Sequence, residues 1–365
     1  MWVYIIAVLL LVLLFCSENE QNKRSHGIFA GIILFCVVSG HNGQMTNDYP
    51  HYMNFFSRAG YSMYGTVDDY NMEPGYLIYV KFLQIFFSRN YEYIIIWGLT
   101  ICIPFFILIK KISAYKSLPV LLIFVINDGR NLMSFFCAHR QMLSIVLILY
   151  AIIIIQSKCN NWKLLGSICL GLSLFCHSTS FFCLPLLYVV YFIKISRKSV
   201  YYYITIVSFL ITVVFDLESR FYELGMNLSM YFGDDMRFLS EHYVDSSNSI
   251  NLTIWRYIPL SGLLCLFVYY HKKENINDFY LKCFLMAVVL KNLLGFFPHI
   301  ARSILLFVIL ACVGAIPYVL PEKSRKFKIA VMITLSINII LFFRTLQMQN
   351  NAPGFYMLPY NFIWE

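Results

Sequence analysis

Residues 91–111 read YEYIIIWGLTICIPFFILIKK, a mostly apolar run that ends in two lysines. A helix of about 20 such residues rises about 30 Å, which matches the hydrocarbon core of a lipid bilayer. The same alternation of a long apolar run and a short basic break recurs along the chain. The sequence therefore predicts an all-α, polytopic integral membrane protein.

The apolar runs predict about twelve transmembrane helices. We expect them at 1–16, 26–40, 91–110, 117–136, 140–157, 162–176, 178–195, 199–216, 252–271, 277–298, 302–320 and 327–344. The chain, 1–365, is then a single polytopic membrane domain with two long polar loops, 41–90 and 217–251. Within the first loop, 75–87 is apolar but short and contains Lys81 and Gln84. This segment predicts an interfacial or re-entrant outer helix.

The composition excludes a soluble domain. Of the 365 residues, 59% are hydrophobic and 13% are charged, whereas soluble domains carry about 25% charged residues. The net charge of +9 does not indicate a nucleic-acid partner, because the cations lie in short clusters between apolar runs. The 11 cysteines lie mostly in apolar segments and form no C-x-x-C pair, so we expect small core residues instead of disulfides or a metal site.

The basic residues are distributed unevenly over the predicted loops. One set of loops carries most of them, namely Lys23, Arg24, Lys110, Lys111, Lys116, Lys158, Lys163, Lys194, Arg197, Lys198, Lys272, Lys273, Lys323, Arg325, Lys326 and Lys328. The opposite loops are rich in acidic residues. Because cytoplasmic loops carry an excess of lysine and arginine, we expect the first set inside the cell. Both termini and both long loops then lie outside.

Ionisable and aromatic residues gather at the predicted outer ends of the spans. Such ionisable residues are costly at a membrane and therefore suggest a functional site. The candidates are Asp48, Tyr49, Tyr52, Glu73, Tyr76, Arg140, Gln141, His177, His299, Arg302 and Tyr360. In the sequence they are far apart, yet the predicted topology brings all of them to one face.

Each of these candidates also has a purely structural interpretation. Arg140 and Arg302 could anchor helix ends by extending toward the lipid headgroups. Glu73, followed by Pro74 and Gly75, could simply begin a helix. His177 could satisfy the backbone at a break between two helices, and a single tyrosine at an interface commonly belongs to the aromatic belt.

The order of these motifs resembles the EpsG family of bacterial exopolysaccharide and O-antigen polymerases, which are Wzy-like. The resemblance rests on Asp48 to Tyr52 after the second span, Glu73-Pro74-Gly75-Tyr76, Arg140-Gln141 opening a helix, His177-Ser178 between helices, Arg302, and Pro359-Tyr360-Asn361-Phe362. It extends over nearly the whole chain. His139, beside Arg140, has no counterpart that we can match to the family.

The resemblance implies a reaction and a location. A growing glycan on a polyprenyl diphosphate is transferred to a lipid-linked repeat unit, and the polyprenyl diphosphate leaves. The implied location is the outer face of the cytoplasmic (inner) membrane, with several membrane crossings. The expected partners are the lipid-linked oligosaccharide and the bilayer, with a chain-length regulator and a flippase of the same pathway, and without nucleic acid. The resemblance implies no cofactor.

The residue types suit this chemistry. The arginines, Arg140 and Arg302, are candidates to hold the diphosphate, because a guanidinium binds phosphate oxygens with two parallel donors. A general base must take the proton of the acceptor hydroxyl, and Glu73, Asp48 and His177 compete for this role in that order. The acceptor path would be lined by Tyr49, Tyr52 and Tyr76. The remaining candidates would make other contacts to the substrate; they are Gln141, His299 and Tyr360.

Two other functions stay open at this stage. A flippase for lipid-linked oligosaccharides would need charged groups inside a central cavity, and Lys291, inside a predicted span, is the feature in its favour. A membrane acyltransferase that modifies a glycan would need a histidine as its dominant catalytic residue. Nucleotide-binding, zinc-protease and serine-hydrolase motifs do not occur in the sequence.

Overall fold

The chain is all-α in the part that the structure describes. The computed structural model describes residues 2–41, 48–59, 73–126, 130–158, 160–215, 217, 220, 250–271, 278–295, 298–314, 325–349 and 362. Within these residues the only β pairing is an isolated antiparallel bridge between His41 and Phe362. The predicted fold class is therefore confirmed as all-helical.

The helices follow the apolar runs of the sequence. In chain order they are α1 Trp2–Ser17, α2 Lys23–Ser39, α3 Asp48–Ala59, α4 Pro74–Gln84, α5 Asn90–Ile112, α6 Leu118–Val125, α7 Arg130–Cys137, α8 His139–Ser157, α9 Trp162–Cys176, α10 Ser180–Phe192, α11 Lys198–Phe215, α12 Ile250–Tyr270, α13 Phe279–Leu294, α14 Pro298–Gly314 and α15 Arg325–Gln349.

Four of the described helices are long and apolar enough to cross a bilayer, judged by length and composition. They are α5, α8, α11 and α15. Several others are apolar but shorter, among them α1, α9 and α10. This set fits a membrane protein, and it is smaller than the twelve crossings that the sequence predicts.

Three predicted helix boundaries can be compared with the structure, which confirms one of them and changes two. The predicted break near 176–178 is confirmed, because α9 ends at Cys176 and α10 begins at Ser180. The predicted span 117–136 divides into α6 and α7, with 127–129 outside the described residues. The helix predicted from 302 begins earlier, at Pro298, because proline fits the first turn of a helix. His299 and Arg302 therefore lie within the opening turns of α14 and do not precede it.

The long loop 41–90 contains two helices. The helix α4 coincides with the predicted outer helix. The helix α3 was not predicted; it begins at Asp48, an acid that suits a helix start, and carries Pro50 in its first turn, where proline is tolerated. The second long loop, 217–251, lies almost entirely outside the described residues.

Small residues allow α2 and α5 to pack closely. A side chain at Gly31 would overlap the ring of Phe106, and one at Gly98 would overlap the hydroxyl of Ser39. Small residues at helix contacts are common in membrane proteins, because lipid offers no hydrophobic drive for helix association and close packing must supply it. This contact holds the helix that carries much of the buried aromatic core.

Lysine side chains cap helix ends on one surface of the bundle. Four of them donate from Nζ to backbone carbonyls at the C-terminal end of a helix to which the lysine does not belong. They are Lys116 at the end of α5, Lys198 at the end of α12, Lys282 at the end of α10 and Lys328 at the end of α1. The last carbonyls of a helix lack partners within it and carry partial negative charge. We call the surface that these four lysines share the lysine face.

The lysine face also orients the helices that carry the candidate residues. The Nζ atom of Lys111, in the last turn of α5, donates to Oγ of Ser157, the last residue of α8. The C-terminal end of α8 thus lies on the lysine face, and α8 begins on the opposite face with His139 and Arg140. The helix α9 starts next to the end of α8 and therefore ends, at Cys176, on the opposite face as well.

We expect the substitution Lys328→Met to lower the free energy of unfolding by roughly 1–3 kcal/mol, because it leaves carbonyl groups at the end of α1 without a charged donor. In the native protein its Nζ lies 3.0 Å from the carbonyl oxygens of both Cys16 and Glu18. Lys326→Met is the matched control, since Lys326 is an exposed residue of the same helix. Thermal unfolding in detergent compares the two variants, and equal shifts would contradict the capping role.

Candidate active site

An ion pair on the opposite face joins Glu73 to Arg140. The Nη1 atom of Arg140 lies 2.6 Å from Oε2 of Glu73, and the two side chains are 31% and 25% exposed. Arg140 is the second residue of α8, and Glu73 is the N-cap residue of α4. The carboxylate of Glu73 does not cap its own helix, and this leaves it available to the guanidinium. The two residues are therefore brought together from distant parts of the chain.

His177 approaches the same carboxylate. Its Nε2 atom lies 4.0 Å from Oε1 of Glu73. The backbone N–H of Thr179 donates to Nδ1 of His177 at 3.1 Å, and the Thr179 hydroxyl lies 2.9 Å from the same nitrogen. A backbone amide can only donate, so Nδ1 accepts and the neutral ring carries its proton on Nε2. The ring therefore presents a donor toward Glu73.

The close approach of α4 to α9 depends on Gly75. A Cβ atom at this position would lie 2.8 Å from the carbonyl carbon of Phe175 and 2.9 Å from Sγ of Cys176. Backbone atoms cannot move aside as a flexible side chain does, so a larger residue would push α4 away from the end of α9. Gly75 thus permits Glu73 to reach His177.

Two tyrosines adjoin the ion pair. The side chain of Tyr52, on α3, interacts with the guanidinium of Arg140, and its ring packs edge-on against Tyr76 at 5.6 Å between centroids. Tyr76 is fully buried, and its hydroxyl lies 2.6 Å from that of Tyr93. Burial raises the pKa of Tyr76 well above its usual value, so this hydroxyl stays neutral.

The structure therefore brings together Glu73, Arg140, His177, Tyr52 and Tyr76 of the predicted site. Gln141 follows Arg140 on α8 with a buried side chain. The structure describes only the backbone of four other candidates, and their side chains lie outside the described residues; these are Asp48, Tyr49, His299 and Arg302. Tyr360 lies outside the described residues completely. Their roles remain predictions.

Two contacts locate described residues that neighbour the remaining candidates in the sequence, namely Ser303 and Phe362. The thiol of Cys183, one turn into α10, lies 3.6 Å from the carbonyl oxygen of Ser303, the residue after Arg302. The start of α14 is thus close to the helix that follows His177. The bridge between Phe362 and His41 holds Phe362 next to the end of α2.

Sequence reasoning missed three residues that support the site. His139 stacks on Trp97 and contacts the hydroxyl of Tyr93, which in turn contacts Tyr76. A signal for this cluster was present, because Tyr93 and Trp97 are four residues apart and so lie on one face of α5. Nothing local, however, indicates that this face meets the start of α8.

The fold and the site define a class of protein: an all-α membrane protein with an acid, an arginine, a histidine and tyrosines gathered at one end of its helices. The chain belongs to the EpsG family, whose model matches residues 27–362. The family resemblance predicted from the order of the motifs is confirmed over this range. No curated protein and no solved structure matches the chain.

We expect Gly75→Ala to destabilise the protein by about 1–3 kcal/mol, the usual cost of overpacking, since the new methyl group meets backbone atoms of α9. Gly171→Ala, within α9 itself, is the control, because its Cβ would meet nothing within 4 Å. Alanine is favoured over glycine inside a helix, so the control should be neutral or stabilising. Thermal unfolding in detergent measures both, and a neutral Gly75→Ala would disprove the close contact.

The stability of the protein should fall as the pH decreases from about 6.5 to about 4, in part because of His41. Burial lowers the pKa of His41 to about 4, whereas an unfolded histidine titrates near 6.5. Between these values the unfolded chain binds the proton first, so acid favours unfolding. His41→Phe keeps a ring against Phe136 and removes the titration. Across this window, the free energy of unfolding of the variant should fall less than that of the native protein, by roughly 3 kcal/mol at most. An unchanged pH dependence would contradict the low pKa of His41.

Proposed function

We propose that the protein is a polysaccharide polymerase that transfers a polyprenyl-diphosphate-linked glycan to a lipid-linked repeat unit. Membership of the EpsG family supports this function. The observation that carries the proposal is the convergence of Glu73, Arg140 and His177 from three separate parts of the chain at one end of the bundle. These groups are an acid, a phosphate-binding cation and a hydrogen-bond donor.

The proposed orientation has the lysine face in the cytoplasm. Cytoplasmic ends of membrane proteins are enriched in lysine and arginine, and the four capping lysines lie together at one end of the bundle. The proposed topology has about twelve crossings if α6 and α7 together form one crossing and α3 and α4 stay outside. The site then faces the outside of the cytoplasmic membrane, where the lipid-linked repeat units would be polymerised.

Arg140 would stabilise the leaving group. When the bond between the sugar and the diphosphate breaks, negative charge develops on the diphosphate, and a fixed guanidinium lowers the energy of that state. Within the described part of the chain, Nε of Arg140 is buried without a hydrogen-bond partner, and Nη1 is paired with Glu73. An incoming diphosphate would compete with Glu73 for Arg140 and so release the carboxylate. We keep Arg302 as the second cation, since α14 starts near α10.

Glu73 would act as the general base. In this step the acceptor hydroxyl gives its proton to the carboxylate, the acceptor oxygen bonds to the anomeric carbon, and polyprenyl diphosphate departs with the electron pair of the broken bond. The geometry favours Glu73 over His177, because the ring nitrogen that faces the site is already a donor in the neutral ring. His177 would orient the carboxylate or donate to the substrate. Asp48 stays a candidate from the sequence.

The tyrosines would divide between contact and support. Tyr52 interacts with Arg140 and is only 5% exposed, so in this state it would hold the guanidinium in place and not stack on a sugar. Tyr76 is 0% exposed, so in this state it cannot touch a sugar and would instead support Tyr52. Tyr49 and Tyr360 would line the acceptor path, with His299 as a further polar contact. Gln141 is 3% exposed, so in this state it would not contact a sugar.

The two alternative functions receive less support from the site. For a flippase, Lys291 is buried in α13, but it lies in the last turn, where a helix favours a cation without any transport path. For an acyltransferase, His177 would have to accept a proton at the nitrogen that faces the site, and that nitrogen carries the hydrogen in the neutral ring.

We expect Arg140→Ala to reduce polymerisation about 100-fold or more, the usual cost of losing a donor to transition-state charge. Arg140→Lys should recover part of this loss, since it keeps the charge without the two parallel donors. Glu73→Gln should reduce the rate similarly while preserving shape. Arg89→Ala is the control, because Arg89 is a cation at the outer start of α5 that contacts Tyr91.

The experiment expresses each variant in a strain from which the gene is deleted and measures glycan chain length on gels. Lipid-linked single repeat units should accumulate outside in the deletion strain and with Arg140→Ala. Normal polymer in the deletion strain would refute the proposal. Substrate trapped inside would favour the flippase, and lost acylation with normal chain length would favour the acyltransferase.

A further inference from the structure

His139 is the middle layer of a stack of three rings. Its ring lies 4.3 Å from that of Tyr52, with 8° between the planes, and 4.2 Å from that of Trp97, with 26° between the planes. Two rings that each stack at this distance cannot share one face of the imidazole, so they cover opposite faces. The imidazole is thus enclosed between a residue of α3 and a residue of α5.

The inner layers of the stack are held rigidly. The indole N–H of Trp97 donates to the carbonyl oxygen of Phe135 at 2.9 Å, and this fixes the plane of the indole. The hydroxyl of Tyr93 lies 2.8 Å from Nδ1 of His139 and 2.6 Å from the hydroxyl of Tyr76. The imidazole therefore has both its plane and its rotation determined by buried groups on α4, α5 and α7.

The outer layer, Tyr52, connects this stack to the site. Tyr52 lies flat on His139 and its side chain interacts with Arg140. Without the imidazole, a gap as thick as an aromatic ring would separate Tyr52 from Trp97. The helix α3 would have to move to close it, and Tyr52 would leave its place beside the guanidinium.

We propose that His139 is a positioning residue, which sets the plane of Tyr52 and, through Tyr52 and the shared start of α8, the orientation of the Arg140 guanidinium. Its effect on catalysis rests on the proposed function; its effect on Arg140 does not. A misplaced guanidinium would still be charged but would no longer point at the diphosphate, so turnover would fall more than substrate affinity.

The test labels arginines with phenylglyoxal from the outside of intact membranes and measures modification of each arginine by mass spectrometry. In His139→Ala we expect the modification of Arg140 to rise several-fold while that of Arg89 stays constant. His139→Phe keeps a flat ring between Tyr52 and Trp97, and should restore the native labelling of Arg140. The double variant Tyr52→Ala with His139→Ala should show no more labelling than either single variant, because both act through one contact.

Polymerisation by the same purified variants provides the second readout. His139→Ala should lower kcat about tenfold or more with a smaller change in KM, since small misplacements of a catalytic group are costly, and His139→Phe should recover most of this loss. The positioning role would be overturned if Arg140 in His139→Ala were labelled only as much as in the native protein. It would also be overturned if Arg140 in His139→Phe were labelled as strongly as in His139→Ala. Altered labelling together with an inactive wild-type protein would overturn the proposed function and leave the positioning role standing.

Discussion

The ion pair between Glu73 and Arg140 is the interaction on which the site depends. Charged groups near a bilayer are costly unless they are paired, and this pair is partly buried at the point where α4 meets α8. The pairing joins the start of α4 to the start of α8, and it adds to the hydroxyl contact between Tyr76 and Tyr93 that holds α4 against α5. In the proposed function, the same contact keeps the cation and the carboxylate together until the diphosphate of the substrate competes for Arg140.

The two ends of the bundle satisfy their backbone groups in different ways. On the lysine face, long cationic side chains reach carbonyl groups at the ends of neighbouring helices and so use their charge for stability. On the opposite face, Arg140 bonds to a side chain, and His177 accepts from the amide of Thr179. The carboxylate of Glu73 thus pairs with a side chain and caps no helix, unlike the four capping lysines. This difference supports the proposal that the face with Glu73 and Arg140 carries the chemistry.

Sequence reasoning predicted the features that depend on local pattern. The apolar run of α5 and the break between Cys176 and Ser180 are properties of short segments. It also predicted that Glu73, Arg140 and His177 share a face, because that follows from the alternation of spans. It could not predict which acid pairs with Arg140, since the pairing requires the close approach at Gly75. The stack on His139 was missed for the same reason: its rings come from three helices, and their contact is a result of packing.

The most direct test of the account measures proximity and sidedness together. Glu73→Cys and His177→Cys are combined in a Cys176→Ser background, because the native thiol of Cys176 lies beside Gly75. Intact membranes are treated from the outside with a short, membrane-impermeant bismaleimide. Mass spectrometry should find the peptides around positions 73 and 177 joined within one chain, and each single variant in the same background should give no such link. A double variant that reacts only after the membrane is opened, or whose two cysteines react separately without joining, would contradict it.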